Sequence, residues 1–138
     1  MIDKYAPAVA ADARHAIAFL EARMPSATRL VYDNYNALAI GFGPTDKASQ
    51  AIVSLAVYPR YVTLFLLNGA KLDDPNKIME GSGSKARHIK LRPVSLLESP
   101  NVLSLIDAAL DQAASPLPES GTGPLLIKSV SAQQRPRQ

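Results

Sequence analysis

The stretch Ile52–Leu67, IVSLAVYPRYVTLFLL, decides the fold. Val53, Leu55 and Val57 alternate with Ile52, Ser54, Ala56 and Tyr58; after Pro59-Arg60, Val62, Leu64 and Leu66 alternate with Tyr61, Thr63, Phe65 and Leu67. A period of two is the mark of a strand, because successive side chains point to opposite faces. Two such runs around so short a break read as a hairpin. Proline is not the usual residue of a primed turn, so a longer or bulged turn is also open. Both sides of both strands carry apolar side chains, whereas a sheet with one wet face places polar residues there. The two strands are therefore predicted to be central, each side covered by a helix layer, a second subunit or a ligand groove.

Outward from this hairpin, Thr28–Tyr32 and Asn36–Phe42 read as two further strands around the Asp33-Asn34 turn. Arg87–Leu91 reads as another, ended by Pro93. Before them, Val9, Ala13, Ile17, Leu20 and Met24 recur at helical spacing, with Pro7 near the first turn and Pro25 as the stop. After them, Ser99 is a good N-cap ahead of Pro100, and Val102, Ile106, Ala109, Leu110 and Ala113 form an apolar stripe. Asp74-Pro75 predicts a short helical turn to about Met79, stopped at Gly81. Strands bunched between helices and joined by short turns predict an α+β fold: an antiparallel sheet of about five strands with an N-terminal and a C-terminal helix packed on it. Residues 1–114 form that domain. Residues 115–138 read as a Pro/Ser/Gly linker and basic tail, with an edge strand at 125–130, in this chain's sheet or another's, and a disordered end at 133–138.

The 138 residues make one domain's worth of chain, long enough to bury a core without metal or disulfide staples. The absence of cysteine removes disulfides, thiolate metal sites and a cysteine nucleophile. The net charge is +3, and Lys128, Arg135 and Arg137 against Glu119 put most of it in the tail. A body so near neutral argues against a nucleic-acid footprint, which needs a clustered basic face. Asp3, Asp12, Arg14 and His15 interrupt any secretory h-region, and no run reaches the length of a membrane span. A cytoplasmic protein that touches no membrane is expected.

No catalytic residue is assigned. Gly81-Ser82-Gly83-Ser84-Lys85 lacks the spacing and the following helix of a phosphate loop, and nothing resembles a nucleophile elbow. His15 and His88 have no partner at metal-ligand spacing, and no motif calls for a cofactor. A ligand site is expected instead in a groove between the first helix and the central strands. Phe19, Tyr32 and Tyr58 would form its walls, and Arg87, His88 and Lys90 would orient a polar or anionic ligand at its mouth. Alternation divides those cations: His88, Lys90 and Arg92 share one side, Lys85 and Arg87 the other.

The helix ending in Met24-Pro25, the Ala27–Tyr32 strand, the Val62–Phe65 strand running into Asn68-Gly69-Ala70-Lys71-Leu72, Asp74-Pro75, Glu80-Gly81-Ser82-Gly83 and Arg87-His88-Ile89-Lys90-Leu91 together resemble the YdhG-like domain family. The resemblance spans roughly Tyr5 to Ala114 and is most specific over 62–91; Ile127–Ser131 and Gln134–Arg137 resemble a tail carried by some members. It implies an α+β fold with helices on an antiparallel sheet. Some relatives are described as frataxin-like iron chaperones, a role that implies carboxylate ligands, and here only Asp73, Asp74 and Glu80 are near one another. The chain departs from that pattern in being net basic and lacking an acidic run. Three functions follow as expectations: a small-ligand binding module, an iron-binding chaperone using Asp73, Asp74 and Glu80, and a homodimeric interaction protein pairing through the second face of the hairpin or through 125–130.

Overall fold

The computed structural model describes all 138 residues. Helix α1 (Pro7–Arg23) precedes strands β1 (Thr28–Asp33), β2 (Leu38–Gly43), β3 (Val53–Val57), β4 (Val62–Leu66) and β5 (Arg87–Lys90). Helix α2 (Pro100–Asp111) and strand β6 (Leu125–Val130) complete the chain. The strands form one six-stranded sheet in the order β5-β4-β3-β2-β1-β6. Its first five strands make an antiparallel meander; short turns join β1 to β2 and β3 to β4, and longer loops make the other two connections. The exception is β6, which runs parallel to β1 with a register shift between Val31 and Tyr32. An antiparallel pair needs only a turn, whereas β6 returns to the sheet after α2 and a long linker, so its direction is free of the hairpin constraint.

Register sorts the side chains into two faces. Val53, Leu55 and Val57 of β3, Val62, Leu64 and Leu66 of β4, and Leu38, Ile40 and Phe42 of β2 form the inner face. They belong to one cluster of 25 buried residues that also holds Ala13, Ala16 and Leu20 of α1 and Val102, Leu105 and Ile106 of α2. Both helices therefore lie on the same side of the sheet. The alanines of α1 give it a thin buried face that can approach the strands closely, consistent with Ala13 and Ala16 at 0% exposure.

The outer face has no second layer: neither helix packs on it. Of the covers expected on the two sides of β3 and β4, a helix layer on the outer side is corrected here. Their outer positions are small or amphipathic (Ser54, Ala56, Tyr58, Tyr61, Thr63), and Tyr58, Tyr61 and Phe65 stay half-buried. Taller neighbours shelter the small residues, so Ala56 and Thr63 are buried without a covering element.

Two local expectations fail for identifiable reasons. Asp74 starts no helical turn; its carboxylate accepts the Ile78 and Met79 backbone N–H groups at 3.1 and 2.9 Å and closes a loop instead. Aspartate offers the backbone this alternative to a helix. The 133–138 end is ordered on the fold, with Arg137 buried. Its guanidinium pairs with Asp33 at 3.0 Å and donates to the carbonyls of Asn34 and Tyr35. The linker before β6 is seated as firmly: Gly123 donates its N–H to the Pro25 carbonyl at 3.0 Å, and a Cβ there would stand 2.0 Å from the Ala27 carbonyl oxygen. Residues 115–138 thus supply a strand and a buried ion pair to the same sheet as residues 28–90.

Candidate functional site

The expected groove between α1 and the central strands is filled by the protein's own core, since the inner-face residues of β3 and β4 are almost completely buried against the helices. Phe19 sits in the helix layer, half-buried beneath the Arg23 guanidinium at 5.9 Å. It shares no site with Tyr58, which the sheet places on the opposite face.

Of the other candidates, the outer face carries Tyr32, Tyr58, His88 and Lys90. One rung crosses five strands as Tyr32, Ala39, Ala56, Thr63 and Lys90; the next runs Leu30, Gly41, Ser54, Phe65 and His88. Tall side chains flank a middle of alanine, glycine and serine, so the face is a trough. Strands lie about 4.8 Å apart, so Tyr32 and Thr63 stand roughly 14 Å from one another across it. A cleft of about 850 Å³ opens here, lined by Ala39, Ser54, Ala56, Tyr58 and Phe65, with Arg135 of the C-terminal segment at its side.

At one end of the trough the hairpin closes through the Tyr58 N–H and the Tyr61 carbonyl, 2.9 Å apart. The Tyr58 and Tyr61 rings meet at 5.2 Å. Burial, and then the neighbouring Tyr61 phenol, raise the Tyr58 hydroxyl above its ordinary pKa. Arg92 and Lys90 lie over the Tyr61 ring at 4.5 and 5.6 Å. Along β5, His88 stands 5.5 Å from the Phe65 ring and 3.7 Å from the Glu80 carboxylate. Thr63 Oγ1 is buried on the central rung and has no hydrogen-bond partner within the chain.

Arg87 points away from this face, as alternation requires. Its guanidinium donates to the carbonyls of Gly83 and Ala86 at 2.6 and 2.8 Å and ties down the glycine loop. Asp73, Asp74 and Glu80 do not converge: Asp74 is engaged by backbone N–H groups and Glu80 stands beside His88. No group of three or more His, Cys, Asp or Glu is arranged to hold a metal ion.

Phe65, Ala39, Ala56 and Arg135 were missed as site residues. The phase of β3 and β4 places Tyr58, Ala56 and Ser54 with Tyr61, Thr63 and Phe65, and that was the available signal. Arg135 had none, because its position depends on Arg137 finding Asp33 across 104 residues.

This geometry defines an α+β domain with helices on one side of an open sheet. No protein-family model matches the chain, and neither the curated proteins nor the solved structures include a significant match. No helix is long and apolar enough to cross a membrane.

Proposed function

We propose that the protein is a non-catalytic binding module of the cytoplasm that takes a small polar or anionic ligand on the outer face of its sheet. The observation that carries this reading is the solvent-open trough, floored by Ala39, Ser54 and Ala56, with Tyr58 and Phe65 at its walls and Arg135 at its side. Concave sites with apolar walls and a few placed polar groups are the usual form of small-molecule sites. Of the residues expected to bind, Tyr32, Tyr58, His88 and Lys90 belong to this face; Phe19 serves the helix layer and Arg87 the glycine loop. Kinship with the YdhG-like domains is proposed with it, supported by two helices on an antiparallel meander.

The test is a thermal-shift screen with small carboxylates and phosphates. A ligand that raises the melting temperature of the wild-type protein is expected to lose that effect in Ala56→Phe, which fills the floor, and in Arg135→Ala. It should keep the effect in Phe19→Ala. An unchanged shift in Ala56→Phe, or no shift from any compound, would remove the reading.

Self-association is a second reading, favoured by the free edge of β6. Leu125, Ile127 and Val130 are 49%, 58% and 56% exposed there, and an unpaired edge is a template for another strand. A second copy pairing β6 with β6 across a two-fold axis would cover them. Light scattering at high protein concentration should then give twice the monomer mass, and Ile127→Lys should return it to the monomer. A wild-type monomer rejects this reading.

A further inference from the structure

The net charge of +3 is spread unevenly over the folded chain. Asp3, Glu98 and Asp107 pair with Arg14, His15 and Arg23 of α1, and Glu21 of α1 pairs with Arg29. Asp12 and Asp111 also belong to the helices. Six of the chain's twelve carboxylates thus stand on the helix side. On the opposite face stand His88, Lys90, Arg92 and Arg135, and Glu80 beside His88 is the one carboxylate paired there. Lys90, Arg92 and Arg135 take part in none of the chain's six ion pairs. Each lies over a tyrosine ring instead: Lys90 and Arg92 over Tyr61, and Arg135 over Tyr35 at 5.7 Å.

Building on the binding-module reading, we propose that the ligand of the trough is an aromatic base carrying a phosphate. The Tyr58 and Phe65 rings supply stacking surfaces above a floor too flat to obstruct a planar ring. Arg92, Lys90 and Arg135 supply unpaired cations at its margins. Arginine forks match phosphate oxygens in pairs. A simple carboxylate would engage these cations and leave the aromatic walls without a partner; an uncharged ring would do the reverse. A base joined to a phosphate engages both. Alternating π faces and cations is also the composition of single-strand binding platforms. The near-neutral balance of the whole body, which argues against nucleic acid, is compatible with a locally basic face, because Lys90, Arg92 and Arg135 have no carboxylate paired with them there.

Two sources carry this chemistry, a free nucleotide and a single-stranded nucleic acid. The full chain is titrated with fluorescein-labelled single-stranded decathymidylate and decauridylate by anisotropy, and with adenosine monophosphate by calorimetry. Inorganic phosphate is the control. Binding of at least one base-containing probe is expected, weakening as salt rises. Tyr58→Ala and Phe65→Ala should each lower affinity about tenfold. Arg92→Gln should flatten the salt dependence by roughly one phosphate contact. Arg14→Ala, on the helix side, should bind like the wild type. Preference for the oligonucleotides assigns the site to a nucleic acid; equal affinity for the monophosphate assigns it to a nucleotide. Should Tyr58→Ala fail to fold by circular dichroism, Phe65→Ala and Lys90→Ala carry the test.

The proposal is overturned if no base-containing probe binds, or if Phe65→Ala and Arg92→Gln both bind like the wild type. If carboxylates or inorganic phosphate then still give a thermal shift that Ala56→Phe removes, the binding module survives and the base is wrong. If no compound gives a shift, both fall.

Discussion

Arg137→Ala is expected to lower the free energy of unfolding by about 3–5 kcal/mol, although it removes the penultimate residue's side chain. The Arg137 guanidinium and the Asp33 carboxylate are 2% and 3% exposed and 3.0 Å apart. Two further bonds run to the Asn34 and Tyr35 carbonyls, and the group lies 5.6 Å above the Tyr5 ring. A buried pair contributes little beyond a well-packed apolar replacement, because desolvating both charges offsets their attraction. Removing one partner is different: Asp33 is left charged in a site of low dielectric without compensation. The double variant Asp33→Asn/Arg137→Ala should therefore lose less than the two single variants together. Urea denaturation of the three variants measures this. A single-variant loss within about 0.5 kcal/mol, the range of ordinary surface changes, would mean that the C-terminal segment is not docked.

Phe42→Ala is expected to cost about 3–5 kcal/mol by a different route. Phe42 is 0% exposed and faces the helices from β2, level with Arg29 of β1 and Val53 of β3. Truncation removes its transfer free energy and leaves a cavity that a strand paired along both edges closes only in part. Phe65, the other phenylalanine of the sheet, is half-buried on the outer face, and its loss should weaken stability much less. Chemical denaturation of Phe42→Ala and Phe65→Ala tests the assignment of the two faces directly. Equal costs would place both rings in the same core and leave the trough without its wall.

Those two phenylalanines show why the elements were more legible than the site. Phe42 and Phe65 both sit in clean alternating runs, so each was readable as a strand residue. Whether a ring faces core or solvent depends on which side receives the helices, and local alternation carries no such label. The apolar character of both sides of β3 and β4 pointed to cover on each. On the outer side no helix supplies it, and alanine, threonine and aromatic side chains shelter one another there. His88 and Lys90 were correctly put on one side of β5 and Arg87 on the other, because a period of two needs no tertiary information. The grouping of Phe19 with Tyr32 and Tyr58 did need it, and the sheet stands between them.

The residue order alone established the α1 and α2 helices, the strands of an antiparallel sheet between them and the strand tendency of 125–130. Each of these rests on periodicity and on proline, glycine and turn residues that act within a few positions of themselves. The bare outer face, the parallel docking of β6 and the Arg137–Asp33 pair emerged from folding. So did the gathering of Lys90, Arg92 and Arg135, which form no ion pair, on the outer face. These depend on contacts between residues far apart in the chain, where geometry chooses among partners that no local pattern distinguishes.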